Sequence, residues 1–223
     1  MKRIILNTLL LIVSLSASSQ LIRTEELEEY ARERYGNSWV KAAANLGEKL
    51  ELDKNNSLSY AQIIECGDKT KEQLYILLNY WVSSSFNDAN SVIQLNDKES
   101  GTIICQGFVP EIASNIGGIN AYYINIKPIL KIDIKDTKIR VTCSVHYYDI
   151  ERSNGILLYN QYYDNVSQMK WAIDKCYPFA RKDSHKQSSS KALVMSHAYC
   201  NVIMDMIEEC VVNGLVGNET EDW

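Results

Sequence analysis

Histidine is scarce in this 223-residue chain: only His146, His185 and His197 occur. None belongs to a close grouping of Cys, Asp or Glu residues with ligand spacing. The six cysteines form no C-x-x-C element. No G-x-S-x-G elbow occurs, Gly117-Gly118 is not followed by the Lys-Ser/Thr of a phosphate loop, and the dinucleotide fingerprint is missing. These absences leave no legible metal centre, serine nucleophile or nucleotide cradle, and nothing in the sequence asks for a cofactor. Basic residues are also in deficit, 23 against 28 acidic, for a formal charge of −5. That balance excludes a protein that tracks a nucleic-acid backbone by charge.

The first clear signal is at the N-terminus. Lys2 and Arg3 precede the apolar run Ile4 to Leu15, and the small residues Ser16, Ala17, Ser18 and Ser19 follow, then Gln20. A positive start, apolar core and small-residue cleavage zone make a secretory signal, with residues 1–19 removed. The run is too short for a lasting membrane anchor. No later stretch approaches 18 continuous apolar residues, so no integral span is expected after cleavage. The chain should be exported, to the periplasm or beyond. Cys66, Cys105, Cys143, Cys176, Cys200 and Cys210 all survive cleavage. In an exported chain they can pair as disulfides, or they can remain buried thiols behaving as small hydrophobes.

Residues 20–57 read as a helical segment. Thr24-Glu25-Glu26 opens one helix, which Gly36-Asn37 stops, and Trp39, Ala43 and Leu46 share a face of a second. A first strand runs from Leu58 to Cys66. A helix follows over about 71–86, capped by Asp68 or Thr70 and striped with Leu74, Leu77, Leu78 and Trp81. Residues 91–96 and 102–109 form a hairpin around Gly101. Residues 114–120 read as a loop.

The strongest pattern comes next. Alternate residues from Tyr122 to Ile134 are apolar, and so are Ile139, Val141, Cys143, Val145 and Tyr147. A two-residue link at Asp136-Thr137 makes an antiparallel pair matching Ile134 with Ile139, Ile132 with Val141, Leu130 with Cys143 and Ile126 with Tyr147. Apolar meets apolar except where Ile124 faces Asp149. The opposite face is wetter, with Asp133 beside Arg140.

A turn is expected at 151–155, a short helix over 167–176, a hydrophilic connection over 181–190, and a long helix from about 191 to 212. Residues 58–150 then form the main domain, 151–216 a helical extension and 217–223 a tail.

The elements Trp39-x-Lys41-Ala42-Ala43, Leu58-x-Tyr60, Leu74-Tyr75 with Trp81, and Asp97-x-x-x-Gly101-Thr102-Ile103, followed by the long alternating strands, resemble a domain found in secreted Bacteroidota proteins. It is domain-of-unknown-function family 4468, which has a TBP-like fold, and the resemblance covers residues 38–150. It implies an α+β architecture: a β-α-β-β-β-β curved antiparallel sheet with helices packed on one face. The C-terminal helices are additional to it. The family offers no catalytic motif to carry onto this chain, and a TBP-like fold does not imply nucleic-acid binding.

The candidate surface is the sheet face turned away from the helices. Tyr123, Asn125, Lys127, His146 and Tyr148 cluster there in the proposed register, with Phe108 alongside. Aromatic area with amide and imidazole groups suits a protein, peptide or carbohydrate contact; a plain solvated face is the bland alternative. Two functional readings follow: a non-enzymatic envelope or interaction module, and a hydrolase of an envelope or dietary polymer using acidic residues.

Overall fold

Period-two alternation over 129–145 requires a sheet with one dry face, and the computed structural model of the chain has it. The structure describes residues 22–49, 51–86, 88–117, 120–158, 161–176 and 186–214; the expected signal at 1–19, the 181–185 part of the expected hydrophilic connection and the expected tail at 217–223 lie outside them. Strands β1 (Leu58–Glu65), β2 (Ile93–Asp97), β3 (Thr102–Gln106), β6 (Ile129–Lys135) and β7 (Lys138–Val145) form a five-stranded antiparallel sheet in the order β1-β7-β6-β3-β2. Strands β4 (Val109–Gly117), β5 (Asn120–Ile126), β8 (Tyr147–Leu158) and β9 (Gln161–Ala172) form a second, in the order β4-β5-β8-β9.

Within the first sheet the expected register holds. Ile134 pairs with Ile139, Ile132 with Val141, Leu130 with Cys143 and Asp133 with Arg140. Burial alternates along both strands, and Ile132, Val141 and Cys143 are fully buried. The Asp136-Thr137 link lacks the usual Asn-Gly chemistry, although Thr137 adopts φ 65°. The start of helix α3 (Lys71–Ser85) holds it instead: Lys71 N–H donates to Asp136 Oδ1 at 2.7 Å, and Thr137 N–H to the Lys69 carbonyl at 2.9 Å. A reciprocal cap between Thr70 and Gln73 fixes that helix start. Gly101 lies at φ 70°, where a Cβ would come within 2.7 Å of the Ile134 carbonyl oxygen; glycine is required there.

The helices cover one face of the sheets. Helices α1 (Thr24–Tyr35) and α2 (Ala42–Lys49), joined by a 3₁₀ turn at Trp39–Lys41, pack with α3 around the long helix α6 (Lys186–Asn213). Short helices α4 (Ala89–Val92) and α5 (Ile173–Cys176) complete the set. Helix α6 lies between this helical layer and both sheets, so its middle is dry nearly all round: Leu193, Val194, Met195, Ala198, Tyr199 and Cys200 are all buried. The same enclosure explains why it starts earlier than expected. Ser188 and Ser189 are buried, and their small side chains fit where polarity alone suggested a solvated connection.

Three more expectations fail in the second sheet. Residues 114–117 belong to β4 rather than a loop, 151–155 lie inside β8 rather than a turn, and 167–172 extend β9 where a helix was expected. Only Ile173–Cys176 of that segment is helical. The expected continuous strands are also broken: the segment from 122 to 134 passes from the second sheet into the first at Pro128, which has no N–H to donate.

Candidate functional site

The chain crosses between the sheets three times along one corner: at Gly107-Phe108 from β3 to β4, at Lys127-Pro128 between β5 and β6, and at His146 from β7 to β8. Gly107 N–H donates to the Pro128 carbonyl at 3.0 Å, binding two crossings together. The third crossing is one residue longer. Between the pairs Ile129–Ser144 and Ile126–Tyr148, two residues on one strand face three on the other. That bulge shifts every later pairing by one, so Ile126 meets Tyr148 rather than Tyr147, and Ile124 meets Ile150 rather than Asp149.

The shift decides which candidates reach the surface. Tyr148 does not: it is fully buried in the core, where desolvation raises its phenol pKa. Tyr147 takes its place on the wetter face. His146 is exposed at the crossing, and Tyr123 is half-buried in register with Glu151. Phe108, Asn125 and Lys127 come together. They line a cleft of about 450 Å³ with Asp149, Ile150, Glu151, Gln168, Met169 and Lys170.

Each cleft residue is set by local backbone. In β4 the residues between Val109 and Ala113 bulge opposite Asn125, with Glu111 at φ 47°. Asn125 Oδ1 accepts the Glu111 N–H at 2.8 Å, so the asparagine fastens the bulge beside Phe108. Asp149 pairs in register with Asn125 on one side and Lys170 on the other. Lys127 Nζ lies 3.0 Å from Asp149 Oδ2 and 5.9 Å from the centre of the Phe108 ring. The hydrogen bond to Asp149 raises the Lys127 pKa and keeps it cationic. Lys170 Nζ stands 4.3 Å from the Tyr147 ring centre, within cation–π range. Among the described residues, Lys170 and Glu151 form no ion pair. The floor is closed from below by the apolar pairs Ile150–Met169 and Tyr148–Trp171.

Residues 60–148 match a family model described as a domain of unknown function, DUF4468, with TBP-like fold. The match agrees with the α+β architecture seen here, antiparallel strands with helices on one face. It contains Phe108, Asn125, Lys127, His146 and Tyr148 and stops one residue short of Asp149. The cleft therefore straddles the boundary of the DUF4468 match, with one wall inside it and the other on the outer halves of β8 and β9. A solved TBP-like protein from Parabacteroides distasonis ATCC 8503 is similar at 16% identity, covering 71% of this chain and 94% of its own, with a TM-score of 0.46. A DUF4468 family protein from Bacteroides ovatus ATCC 8483 is similar at 14% identity, covering 70% and 86%, with a TM-score of 0.40. No curated protein matches the chain.

Sequence reasoning missed Tyr147, Asp149, Glu151, Gln168 and Lys170. The signal was present but weak: Tyr148 and Ile150 alternate with Tyr147, Asp149 and Glu151, and Met169 and Trp171 alternate with Gln168 and Lys170. Neither His146 nor His197 lines the cleft. His197 is half-buried on α6, with Nδ1 3.2 Å from the Tyr60 hydroxyl, and His185 lies outside the described residues. Among the described residues no three His, Cys, Asp or Glu side chains converge as metal ligands, and no helix is long and apolar enough to cross a membrane.

Proposed function

We propose that the protein is an exported, non-enzymatic binding module of the envelope that takes a peptide into the cleft between the Phe108 corner and strands β8 and β9. The observation that carries this reading is the cleft's charge pattern. Lys170 and Glu151 carry opposite charges on neighbouring strands with no ion-pair partner among the described residues, beside the exposed ring of Phe108. A peptide supplies both charge signs and backbone amides to Asn125 and Gln168. A neutral glycan would use stacking platforms, and the cleft offers one open ring. The signal at residues 1–19 supports export.

Equilibrium binding to an immobilised library of eight-residue peptides tests the proposal, with neutral oligosaccharides as the comparison. The wild-type chain should retain a peptide subset, and Lys170→Glu and Phe108→Ala should each weaken retention at least about tenfold while leaving the thermal midpoint unchanged. Equal retention by both variants, or retention of oligosaccharides alone, rejects it.

A hydrolase is the second reading, favoured by the presence of Asp149 and Glu151 in one cleft. Against it, Asp149 is committed to Lys127 at 3.0 Å. Release of reducing ends from envelope or plant polysaccharide, abolished in Glu151→Gln, would establish that reading in place of the first.

A further inference from the structure

Cys143 and Cys200 are each completely buried, and their sulfurs lie 2.9 Å apart across 57 positions of sequence. That separation is only about 0.9 Å beyond the ~2.05 Å of a formed disulfide. Cys143 lies on β7, between β1 and β6, and Cys200 on the enclosed middle of α6. The remaining thiols differ. Cys66 Sγ donates to the Ile64 carbonyl at 3.4 Å, and Cys105 and Cys210 are buried with their thiol pKa pushed up to about 11 by desolvation.

We propose that Cys143 and Cys200 are joined as an intramolecular disulfide while the chain folds, tying α6 to the first sheet. Only the place of oxidation, an oxidising compartment, rests on the export reading above. Both sulfurs are sealed once folding is complete, and desolvation together with Cys143 raises the Cys200 pKa far above its ordinary value. No thiolate is then available to attack, so exchange takes place while the segments are still open to solvent. One cysteine thiolate attacks an oxidant disulfide, such as oxidised glutathione or an oxidoreductase disulfide. It forms a mixed disulfide and releases one oxidant thiol. The second cysteine attacks that mixed bond, the Cys143–Cys200 bond forms, and the second oxidant thiol leaves. Two cysteine thiols and one oxidant disulfide become one protein disulfide and two oxidant thiols, with two electrons passing to the oxidant.

The test unfolds the full chain in guanidinium and refolds it with oxidised glutathione, beside a sample refolded in a reductant. Peptide mapping should find the segments holding Cys143 and Cys200 linked in the first sample alone. The linked form should melt about 10 °C higher and should resist reductant until denaturant is added. Cys143→Ala with Cys200→Ala should fold, melt near the reduced protein and show no difference between the two buffers. Alkylation of both cysteines after oxidative refolding, or linkage of either to Cys176 or Cys210, overturns the proposal. A link that forms in glutathione in a protein found reduced in its cells upholds the pairing and removes the export reading.

Discussion

The two sheets are built from the same passes of chain, yet their outer faces are organised differently. On the first, the central carboxylate is matched: Asp133 takes Lys131 at 2.8 Å and Arg140 at 2.7 Å, beside a hollow of about 230 Å³ whose Lys135 and Lys138, opposite each other, carry one sign of charge only. On the second, a bulge in β4 and an extra residue at the His146 crossing open a larger cleft with unmatched charge. Regular pairing brings Asp133 within reach of two cations; the bulge and the extra residue instead open space beside Glu151 and Lys170, which carry opposite signs. The matched family segment takes in the β4 bulge and the His146 crossing and stops before Asp149 and Glu151.

Tyr148 and His146 give the largest contrast. If the bulge sets the register, Tyr148→Ala removes a buried core side chain and lowers unfolding stability by about 3–5 kcal/mol, whereas His146→Ala stays within about 0.5 kcal/mol. Urea titration measures both. Equal effects would mean that the crossing contains no extra residue.

The helical side responds to pH. Burial, followed by the nearby Arg34 charge, lowers the His197 pKa from 6.5 to about 4. The folded protein thus keeps this imidazole neutral while the unfolded chain takes up a proton below 6.5. Stability is fully present above pH 6.5 and is lost as pH falls towards 4, by about 2 kcal/mol after allowance for partial solvent screening. His197→Asn should flatten that limb of a midpoint-against-pH plot.

Smaller effects separate the two outer faces. Asn125→Ala removes the acceptor of the Glu111 N–H and should lower stability by about 1 kcal/mol. It should also raise amide exchange at Glu111 without changing exchange in β6 or β7. Asp133→Asn should cost only a few tenths of a kcal/mol. Burial opposes ionisation of Asp133, but the Lys131 and Arg140 hydrogen bonds outweigh it and lower the pKa. Its contribution is therefore present above about pH 3.8, the ordinary value, and disappears as the pH falls below that. The variant should lack this acid-side slope.

How far the sequence could be read followed the same division. Strands β6 and β7 were legible residue by residue because each is aliphatic on one face and charged on the other. The registered pairs of β5 and β8 were not, since Tyr147 and Tyr148 are chemically alike and either can face inward. A single mismatch, Ile124 opposite Asp149, marked the slip, and moving one residue turns it into Ile124 opposite Ile150. Strand β9 was hidden for a different reason: Met169, Ala172, Ile173 and Cys176 fall at i, i+3, i+4 and i+7, a helical stripe, and they overlap the short alternation of Met169 with Trp171. Of the candidate site, Phe108, Asn125 and Lys127 were found because they precede or adjoin the crossings, while the opposite wall depended on the unread strands.

The extra residue at the His146 crossing makes the count of amino acids there odd where its partner's is even. Deleting His146 would leave two residues facing two between the Ile129–Ser144 and Ile126–Tyr148 pairs, so the bulge would vanish while Tyr148 and Ile150 stayed inward and Asp149 and Glu151 outward. The same loss within the regular run from Tyr148 to Glu151 would reverse every later side chain, so a gap in an alignment of relatives is harmless at this corner and decisive a few residues beyond it.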